Sequence, residues 1–216
     1  MNKVPQLEGI DHLISGIDVA LRSLFAKPNA NRCNPATKKT ISEHDLSATE
    51  RQKSIELMRI NHVGEICAQA LYQGQAITAR SANVKNKMQE AAEEEVDHLS
   101  WCAERITELN GRTSLLNPLW YTGSLTLGTL AGLFGDKWSL GFLEETEKQV
   151  EQHLAEHLDY LPENDQRSRA IVTQMKIDEA KHAQMAHDNG AQELPTLVKS
   201  AMKSTAQLMK IVAAKI

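Results

Sequence analysis

A four-residue pattern, Glu-x-x-His, occurs twice in this chain, at residues 95–98 and again at residues 179–182. Each copy follows a glutamate, Glu65 or Glu147, at a distance of 30 or 32 residues. Positions three apart lie on one face of an α-helix, so both side chains of a pair can reach the same site. The chain therefore predicts two similar halves, each made of a helix with one glutamate, a turn, and a helix with Glu-x-x-His.

The neighbours of these glutamates and histidines are mostly apolar at helical spacing. Met88, Leu99 and Ile106 share the stripe that carries the first Glu-x-x-His pair, and Val172 and Met175 flank the second. Ionised carboxylates on apolar helix faces would be very costly to bury without partners, and two divalent cations would remove that cost. We therefore predict a site for two metal ions with six ligands: Glu65, Glu95, His98, Glu147, Glu179 and His182.

The predicted ligands have the composition found in ferritin-like di-iron and di-manganese carboxylate bundles. In those bundles two helices each supply one Glu, and the other two each supply Glu-x-x-His. Carboxylates with one imidazole per metal suit iron or manganese better than ions that prefer thiolates. Glu95 and Glu179 are predicted to bridge the two metals, and Glu65 and Glu147 to be terminal ligands, one per metal. The alternative for a single Glu-x-x-His pair is a solvated helix face without metal.

Two acidic residues each precede a predicted bridging ligand by one position. A metal-bound histidine usually donates its other ring N–H to a carboxylate. We predict that Asp178 orients His98 and that Glu94 orients His182, each from the opposite helix. The alternative is that both are ordinary surface acids.

Four further histidines lie near the predicted ligands in the sequence. His62 and His153 are predicted to contact the ligands or to pack in the core, rather than to serve as a seventh ligand. His157 and His187 are predicted to lie on the surface.

The composition favours an all-α fold, because Ala, Leu, Glu, Lys and Gln abound whereas aromatic residues make up only 4%. Ser47 and Glu50 match a capping box at the start of a helix that runs to about residue 79. Three more core helices are predicted from about Asn83 to residue 110, over 139–160 and over 163–189. The predicted fold is a ferritin-like four-helix bundle with a long apolar crossover between core helices two and three, plus accessory amphipathic helices.

Two regions are predicted along the chain. Residues 1–45 are interpreted as an N-terminal amphipathic helix, over about 10–26, and a polar loop. Residues 46–216 are interpreted as the ferritin-like di-iron domain, with its apolar crossover at 113–138 and a C-terminal amphipathic helix at 195–216.

The crossover is the most apolar part of the chain, with no charged residue between Arg112 and Asp136. Its length would suffice for a bilayer, but a single crossing would separate the two halves of the metal site. We therefore expect the crossover to present an exposed apolar face, either to a membrane or at the entrance for a lipid-like ligand. The alternative is a crossover buried against the bundle. The basic helix 195–216 is expected either to lie in a lipid interface or to cover the bundle.

Other functional classes find little support in the composition. A net charge of −4 argues against nucleic acid as the main partner. The three widely spaced cysteines indicate no disulfide framework and fit a reducing compartment. The N-terminus lacks the apolar core of a secretory signal, and the chain contains neither a phosphate loop nor Cys-x-x-Cys.

Several of these segments together resemble the demethoxyubiquinone hydroxylases of ubiquinone biosynthesis. The resemblance rests on Arg-Ile-Asn-His-Val-Gly-Glu at 59–65, Glu-Glu-Val-Asp-His at 94–98, Glu147 with His153 six residues on, and Asp-Glu-Ala-Lys-His at 178–182. It covers about residues 50–216, including the apolar linker, and all six ligand positions of the family are filled. The first 45 residues match less clearly.

The resemblance implies a di-iron monooxygenase that holds two Fe²⁺ ions. Such an enzyme hydroxylates the ring of a 2-polyprenyl-3-methyl-6-methoxy-1,4-benzoquinol, demethoxyubiquinol, with O₂, and needs no catalytic side chain beyond the metal ligands. The family works at the membrane surface, and its bacterial members act as peripheral proteins on the cytoplasmic side of the inner membrane. Other proteins of ubiquinone biosynthesis are expected partners.

Two alternatives remain at this point. The first is iron oxidation, storage or peroxide scavenging by a ferritin-like or rubrerythrin-like protein, which would use the same fold and metals. The second is a metal-free helical module that recruits partners to a membrane surface.

Overall fold

The computed structural model describes residues 20, 21, 24, 30–37, 41 and 45–216. Over these residues the chain forms one 3₁₀ turn, Pro35–Thr37, and α-helices without any β-strand, which confirms the predicted all-α fold. The helices are α1 (Ala48–Thr78), α2 (Ala82–Glu108), α3 (Asn117–Leu133), α4 (Asp136–Tyr160), α5 (Gln166–Asp188) and α6 (Thr196–Ala213). The predicted helix over 10–26 lies almost entirely outside the described residues.

The helix starts follow from local hydrogen bonds. The predicted capping box at α1 is confirmed, since the Ser47 hydroxyl accepts from the Glu50 N–H and the Glu50 carboxylate accepts from the Ser47 N–H. Helix α4 begins at Asp136, three residues before the predicted start. The Asp136 carboxylate also accepts the backbone N–H groups of Arg80 and Ser81, at 2.9 and 2.8 Å. One side chain therefore joins the start of α4 to the start of α2.

Four helices, α1, α2, α4 and α5, share two separate apolar clusters. The first cluster contains Met58, Trp101, Leu154 and Ile171, one residue from each helix, among others. The second again draws on all four: Leu71, Tyr72, Met88, Leu140, Leu143 and Ala186 belong to it. Along every one of these helices the predicted metal ligands fall between the two clusters. The ligand layer thus lies between two apolar clusters of the bundle.

Helix α3, which contains most of the predicted crossover, packs directly on the backbone of α1. A Cβ atom on Gly128 would overlap the carbonyl of Leu71, and one on Gly74 would overlap the carbonyl of Leu125. The glycines therefore allow the two helices to approach more closely than larger residues would. The opposite face of α3 is exposed, with Leu119 61% accessible and Phe134, just past its end, 74% accessible. The crossover therefore packs on the bundle by one face, as in the alternative of a buried crossover, but its other face is exposed and does not fit that alternative.

Within the part of the chain that the structure describes, no helix has both the length and the apolar character of a membrane span.

Helix α6 is the last element and lies across α1 and α4. Met209 and Ala213 pack against Ile60 and Val63 of α1. The guanidinium of Arg59 donates to the carbonyls of Ala214 and Arg112, which fixes the end of the chain beside the beginning of the crossover. Other apolar side chains of α6 remain exposed, namely Leu197, Leu208 and Ile211.

The glycine contact between α1 and α3 gives a stability prediction. Gly128→Ala is expected to lower the free energy of unfolding by about 1–3 kcal/mol, because the added methyl overpacks the backbone contact. Gly123→Ala on the same helix is the matched control, since its Cβ meets no atom within 4 Å. The control should be neutral or slightly stabilising, by up to about 1 kcal/mol. Urea unfolding of both variants is the measurement, and equal effects would contradict the described packing.

Candidate metal centre

The six predicted ligands meet in the internal polar layer, and all six side chains are buried. They form two groups in which one ligand atom from each residue lies within 4.8 Å of all the others. The first group is Glu65, Glu95, His98 and Glu179, and the second is Glu95, Glu147, Glu179 and His182. Glu95 and Glu179 belong to both groups, which is the arrangement expected of bridging ligands. The ligand roles themselves stay a prediction.

The first group is organised around the Nδ1 atom of His98. This atom lies 3.1 Å from Glu95 Oε2, 3.1 Å from Glu179 Oε1 and 3.6 Å from Glu65 Oε2. One turn of α2 brings His98 and Glu95 onto the same face, whereas Glu65 comes from α1 and Glu179 from α5. Three helices thus supply this half of the site.

The second group repeats the first around the Nδ1 atom of His182. The distances are 3.1 Å to Glu179 Oε2, 3.4 Å to Glu95 Oε1 and 3.7 Å to Glu147 Oε1. Here α5 supplies the Glu-x-x-His pair, α4 supplies Glu147 and α2 supplies Glu95. The duplicated spacing in the sequence therefore corresponds to two equivalent half-sites that share two carboxylates.

The donor atoms of the cluster fit divalent metal ions. Among the described residues, one carboxylate oxygen each of Glu95, Glu147 and Glu179 is buried without a hydrogen bond. Carboxylates accept but do not donate, so the few available N–H groups leave these oxygens unsatisfied. Two cations between them would satisfy the oxygens and offset their charge. Oxygen ligands with one imidazole per metal favour iron or manganese.

Burial and mutual repulsion change the protonation of the metal-free cluster. Burial and the charge of Glu179 raise the pKa of Glu147 to about 8. Burial and the charge of Glu95 also raise the pKa of Glu65 well above its usual value. Burial opposes protonation of both histidines, but the surrounding carboxylates outweigh it and raise their pKa values. Metal ions must therefore displace protons from this cluster.

Each histidine also meets a carboxylate on the side away from the cluster. His98 Nε2 lies 3.3 Å from Asp178 Oδ2, and His182 Nε2 lies 2.8 Å from Glu94 Oε2. These are the two pairings that the sequence predicts. The acids differ in exposure, because the Asp178 side chain is 2% accessible and the Glu94 side chain is 52% accessible.

His62 and His153 are placed differently from the two ligand histidines. Among the described residues, no hydrogen bond or ion pair joins His62 or His153 to the six predicted ligands. Burial lowers the pKa of His62 to about 4. His153 instead lies 3.4 Å from Lys210 Nζ and stacks edge-on with the ring of His157. A step of six residues turns a side chain by about 120° around the helix, which directs His153 away from the face of Glu147.

The prediction of a surface position is wrong for His157, whose exposure is only 4%. It packs at the side of α4 that α6 covers, and burial lowers its pKa to about 2. A polar residue near the end of a helix gave no indication in the sequence that it would be buried. His187 is exposed as predicted, with its ring 3.3 Å from a carboxylate oxygen of Glu144.

Sequence reasoning assigned no role to two residues that contact the cluster or its outer acids. The buried Tyr72 hydroxyl donates a short hydrogen bond to Glu147 Oε1. Burial and the charge of Glu147 raise the pKa of this phenol, so it remains a neutral donor. Tyr72 stands seven residues after Glu65, a helical repeat that could have identified it. Arg32 reaches Asp178 from outside the bundle, as an ion pair of 2.8 Å, and no periodicity marks it.

A cavity of about 510 Å³ adjoins the first group of ligands. Glu65 forms part of its wall, and about half of the other lining side chains are apolar, among them Ile60, Leu71, Trp120 and Met209. The wall is built by α1, α3, α4 and α6. Leu119 also lines the cavity and is 61% accessible, so the cavity borders the exposed apolar face of α3.

The raised pKa values predict that metal affinity increases with pH. Glu147, with a pKa of about 8, is protonated at neutral pH in the metal-free protein, and a metal must displace that proton. The dissociation constant for Co²⁺ should therefore rise at least tenfold per unit as the pH falls below about 8. Anaerobic titration against a chromophoric chelator measures it. A dissociation constant that does not depend on pH would contradict this account of the cluster.

The raised pKa of Glu147 makes the metal-free fold less stable as the pH rises, whereas metal affinity increases. The folded state holds the proton of Glu147 more tightly than the unfolded chain does, so its stabilising contribution is complete below pH 4.5 and lost as the pH rises towards 8. Thermal unfolding without metal should follow that direction, whereas the metal-loaded protein should gain stability over the same range.

Comparison with known proteins agrees with the site. The family model described as ubiquinone biosynthesis protein COQ7 matches residues 52–213. A protein of Chromobacterium violaceum named 3-demethoxyubiquinol 3-hydroxylase is 58% identical over 200 residues, which cover 93% of this chain and 96% of the relative. A protein of the same name from Nitrosomonas europaea is 59% identical, with 93% and 95% covered. The resemblance inferred from the sequence is confirmed, and the chain belongs to the family of ubiquinone biosynthesis protein COQ7.

Proposed function

We propose that this chain is a di-iron monooxygenase that hydroxylates the ring of demethoxyubiquinol with O₂. The observation that carries the proposal is the pair of carboxylate–histidine groups that share Glu95 and Glu179, next to an apolar cavity that includes Glu65. The names of the relatives, 3-demethoxyubiquinol 3-hydroxylase, give the substrate and the position of attack.

The proposed cofactor is two Fe²⁺ ions. Each would be held by one histidine, one terminal glutamate and the two shared glutamates, as the two groups of side chains suggest. When bound, iron supplies the redox chemistry that activates O₂. In the overall reaction one oxygen atom replaces a ring hydrogen as hydroxyl and the other leaves as water, with two electrons and two protons from a reductant.

The protein contributes orientation and exclusion of water. Asp178 and Glu94 lie within 3.3 Å and 2.8 Å of the Nε2 atoms of the two histidines. In the metal-bound state each carboxylate would accept the Nε2–H and leave Nδ1 free to face the metal. Tyr72 holds one oxygen of Glu147 and leaves the other available to a metal. The apolar clusters on both sides keep the layer dry, so hydrogen bonds within it are strong.

The size and the apolar part of the wall of this cavity suit a polyprenylated quinol. Its volume of about 510 Å³ lies within the range of small-molecule sites, and its apolar wall matches a polyprenyl tail. A ring placed at the inner end would lie beside Glu65. The tail would leave between α3 and α6, where the exposed side chains are leucines and isoleucine.

The same surface suggests how the protein meets its substrate. We propose that it lies on the cytoplasmic side of the inner membrane as a peripheral protein, near other proteins of ubiquinone biosynthesis. Exposed apolar residues of α3 and α6 would enter the lipid, and the lysines of α6 would face anionic headgroups. Flotation with vesicles that contain anionic lipid tests this, and protein that remains in the dense fraction would contradict it.

Iron storage or peroxide scavenging is the rival function. It would use the same ligands, but it gives no role to an apolar cavity beside them or to an exposed apolar helix face. A large hollow oligomer in size-exclusion chromatography would favour storage and contradict the monooxygenase.

Reconstitution tests the proposed reaction directly. The purified protein, loaded with Fe²⁺ and given a demethoxyquinol, a reductant and O₂, should form the hydroxylated quinol, detected by mass spectrometry. Glu95→Ala should lower the rate by more than about 100-fold, because loss of a shared ligand should exceed the 10–100-fold typical of outer contacts. Glu93→Ala is the matched control, an exposed acid two residues away on the same helix, and should leave the rate unchanged. Full activity of Glu95→Ala would overturn the proposal.

A further inference from the structure

The segment 30–37, which precedes the bundle, lies against the metal centre through one side chain. Arg32 places its guanidinium between α2 and α5, with Nε 2.6 Å from Asp97 Oδ2 and Nη1 2.8 Å from Asp178 Oδ2. The planar, fork-like geometry of Arg allows it to join two carboxylates in this way. The ring of Trp101 lies 5.0 Å from the guanidinium carbon, within the range of a cation–π contact.

Arg32 is itself held firmly. Asp97 is 2% exposed, and its second oxygen accepts the backbone N–H of Asn31 at 2.6 Å. The indole Nε1 of Trp101 lies 3.4 Å from the carbonyl oxygen of Arg32. Backbone and side chain of this residue are therefore both tied to α2.

Asp178 connects Arg32 to the metal centre. Its Oδ2 atom lies 2.8 Å from Arg32 Nη1 and 3.3 Å from His98 Nε2. The other terminal nitrogen of Arg32, Nη2, also lies 3.3 Å from His98 Nε2, so Arg32 meets this imidazole directly as well as through Asp178. The other oxygen of Asp178 accepts from Lys181 Nζ at 2.9 Å and from Gln174 Nε2 at 3.1 Å. The carboxylate that orients His98 is thus surrounded by donors, and Arg32 is the one that comes from outside the bundle.

The second half-site has no such support. The acid that contacts His182 is Glu94, which is half-exposed. The hydrogen bond with His182 and, to a smaller extent, the charge of Arg32 lower the pKa of Glu94, but among the described residues no lysine or arginine forms an ion pair with it within 4.0 Å. The two half-sites have matching ligands, but their imidazoles are held by different surroundings. Mobile, solvated acids orient a metal ligand less well than fixed, buried ones.

We propose that Arg32 is a positioning residue that makes the metal position of Glu65 and His98 the tighter of the two. It fixes Asp178 and also lies beside His98 Nε2, and together these two groups hold His98 with Nδ1 directed at the cluster. This inference rests on the metal centre of the proposed function. A metal would accordingly bind first beside His98 and second beside His182.

Stepwise metal binding by the full chain tests the inference. Anaerobic titration with Co²⁺ in the presence of a competing chelator should resolve two dissociation constants. Arg32→Gln should weaken the tighter position by about 10–100-fold and the weaker one by less than about threefold. Glu94→Gln is the mirror variant and should weaken the second position alone. Equal weakening of both positions by Arg32→Gln would overturn the inference.

A double-mutant cycle identifies the path of the effect. If Arg32 acts through His98, Arg32→Gln should have no further effect on metal affinity in a His98→Ala background. In a His182→Ala background the full loss should remain. An effect that persists without His98 would show that Arg32 only tethers the segment 30–37, and would refute the positioning role.

Two measurements separate positioning from folding. Thermal unfolding of the metal-free variants measures how much Arg32 stabilises the fold by holding the segment 30–37 on the bundle. This effect is independent of metal affinity. Arg32→Lys keeps the charge but cannot span both carboxylates, so an affinity between those of wild type and Arg32→Gln is expected. Arg32→Lys also serves if Arg32→Gln does not fold, and wild-type affinity in that variant would contradict the inference. If wild type bound no metal at all, the proposed di-iron function would fail instead.

Discussion

Four carboxylates buried in one layer of a helical bundle are the constraint on which the rest of this structure depends. An ionised carboxylate is stable away from water only when it is paired or bound to a cation. In the metal-free state burial and the charge of Glu179 raise the pKa of Glu147 to about 8, and the layer therefore takes up protons. Two metal ions would replace those protons, and the site therefore couples metal binding to pH and to stability.

The bundle is built around that layer. Two apolar clusters, one on each side, draw on the same four helices and carry the hydrophobic stabilisation that the polar layer does not supply. The crossover helix is excluded from both clusters and packs on α1 through Gly74 and Gly128. Its outer face and part of α6 are apolar and exposed. Helix α1 therefore contributes Glu65 to the metal site on one side and packs against the apolar helix α3 on another.

Much of this could be predicted, because it depends on periodicity. Helix spacing brought the six ligands together, and the capping box at Ser47 marked the start of α1 correctly. The contacts that were missed depend on tertiary packing. Arg32 lies in a polar loop far from its partners in sequence, and Asp136 accepts backbone N–H groups from the segment before α2. His157 stacks on His153, which in turn meets Lys210 of α6. No local pattern encodes such contacts.

The number of iron ions that the layer holds tests the central claim most directly. Purified protein should be loaded anaerobically with ⁵⁷Fe²⁺, freed of excess metal, and analysed for bound iron and by Mössbauer spectroscopy. We expect two iron ions per chain, and coupling between them after exposure to O₂, because Glu95 and Glu179 belong to both groups of ligands. One isolated ion per chain, or none, would contradict the account of a shared dinuclear site.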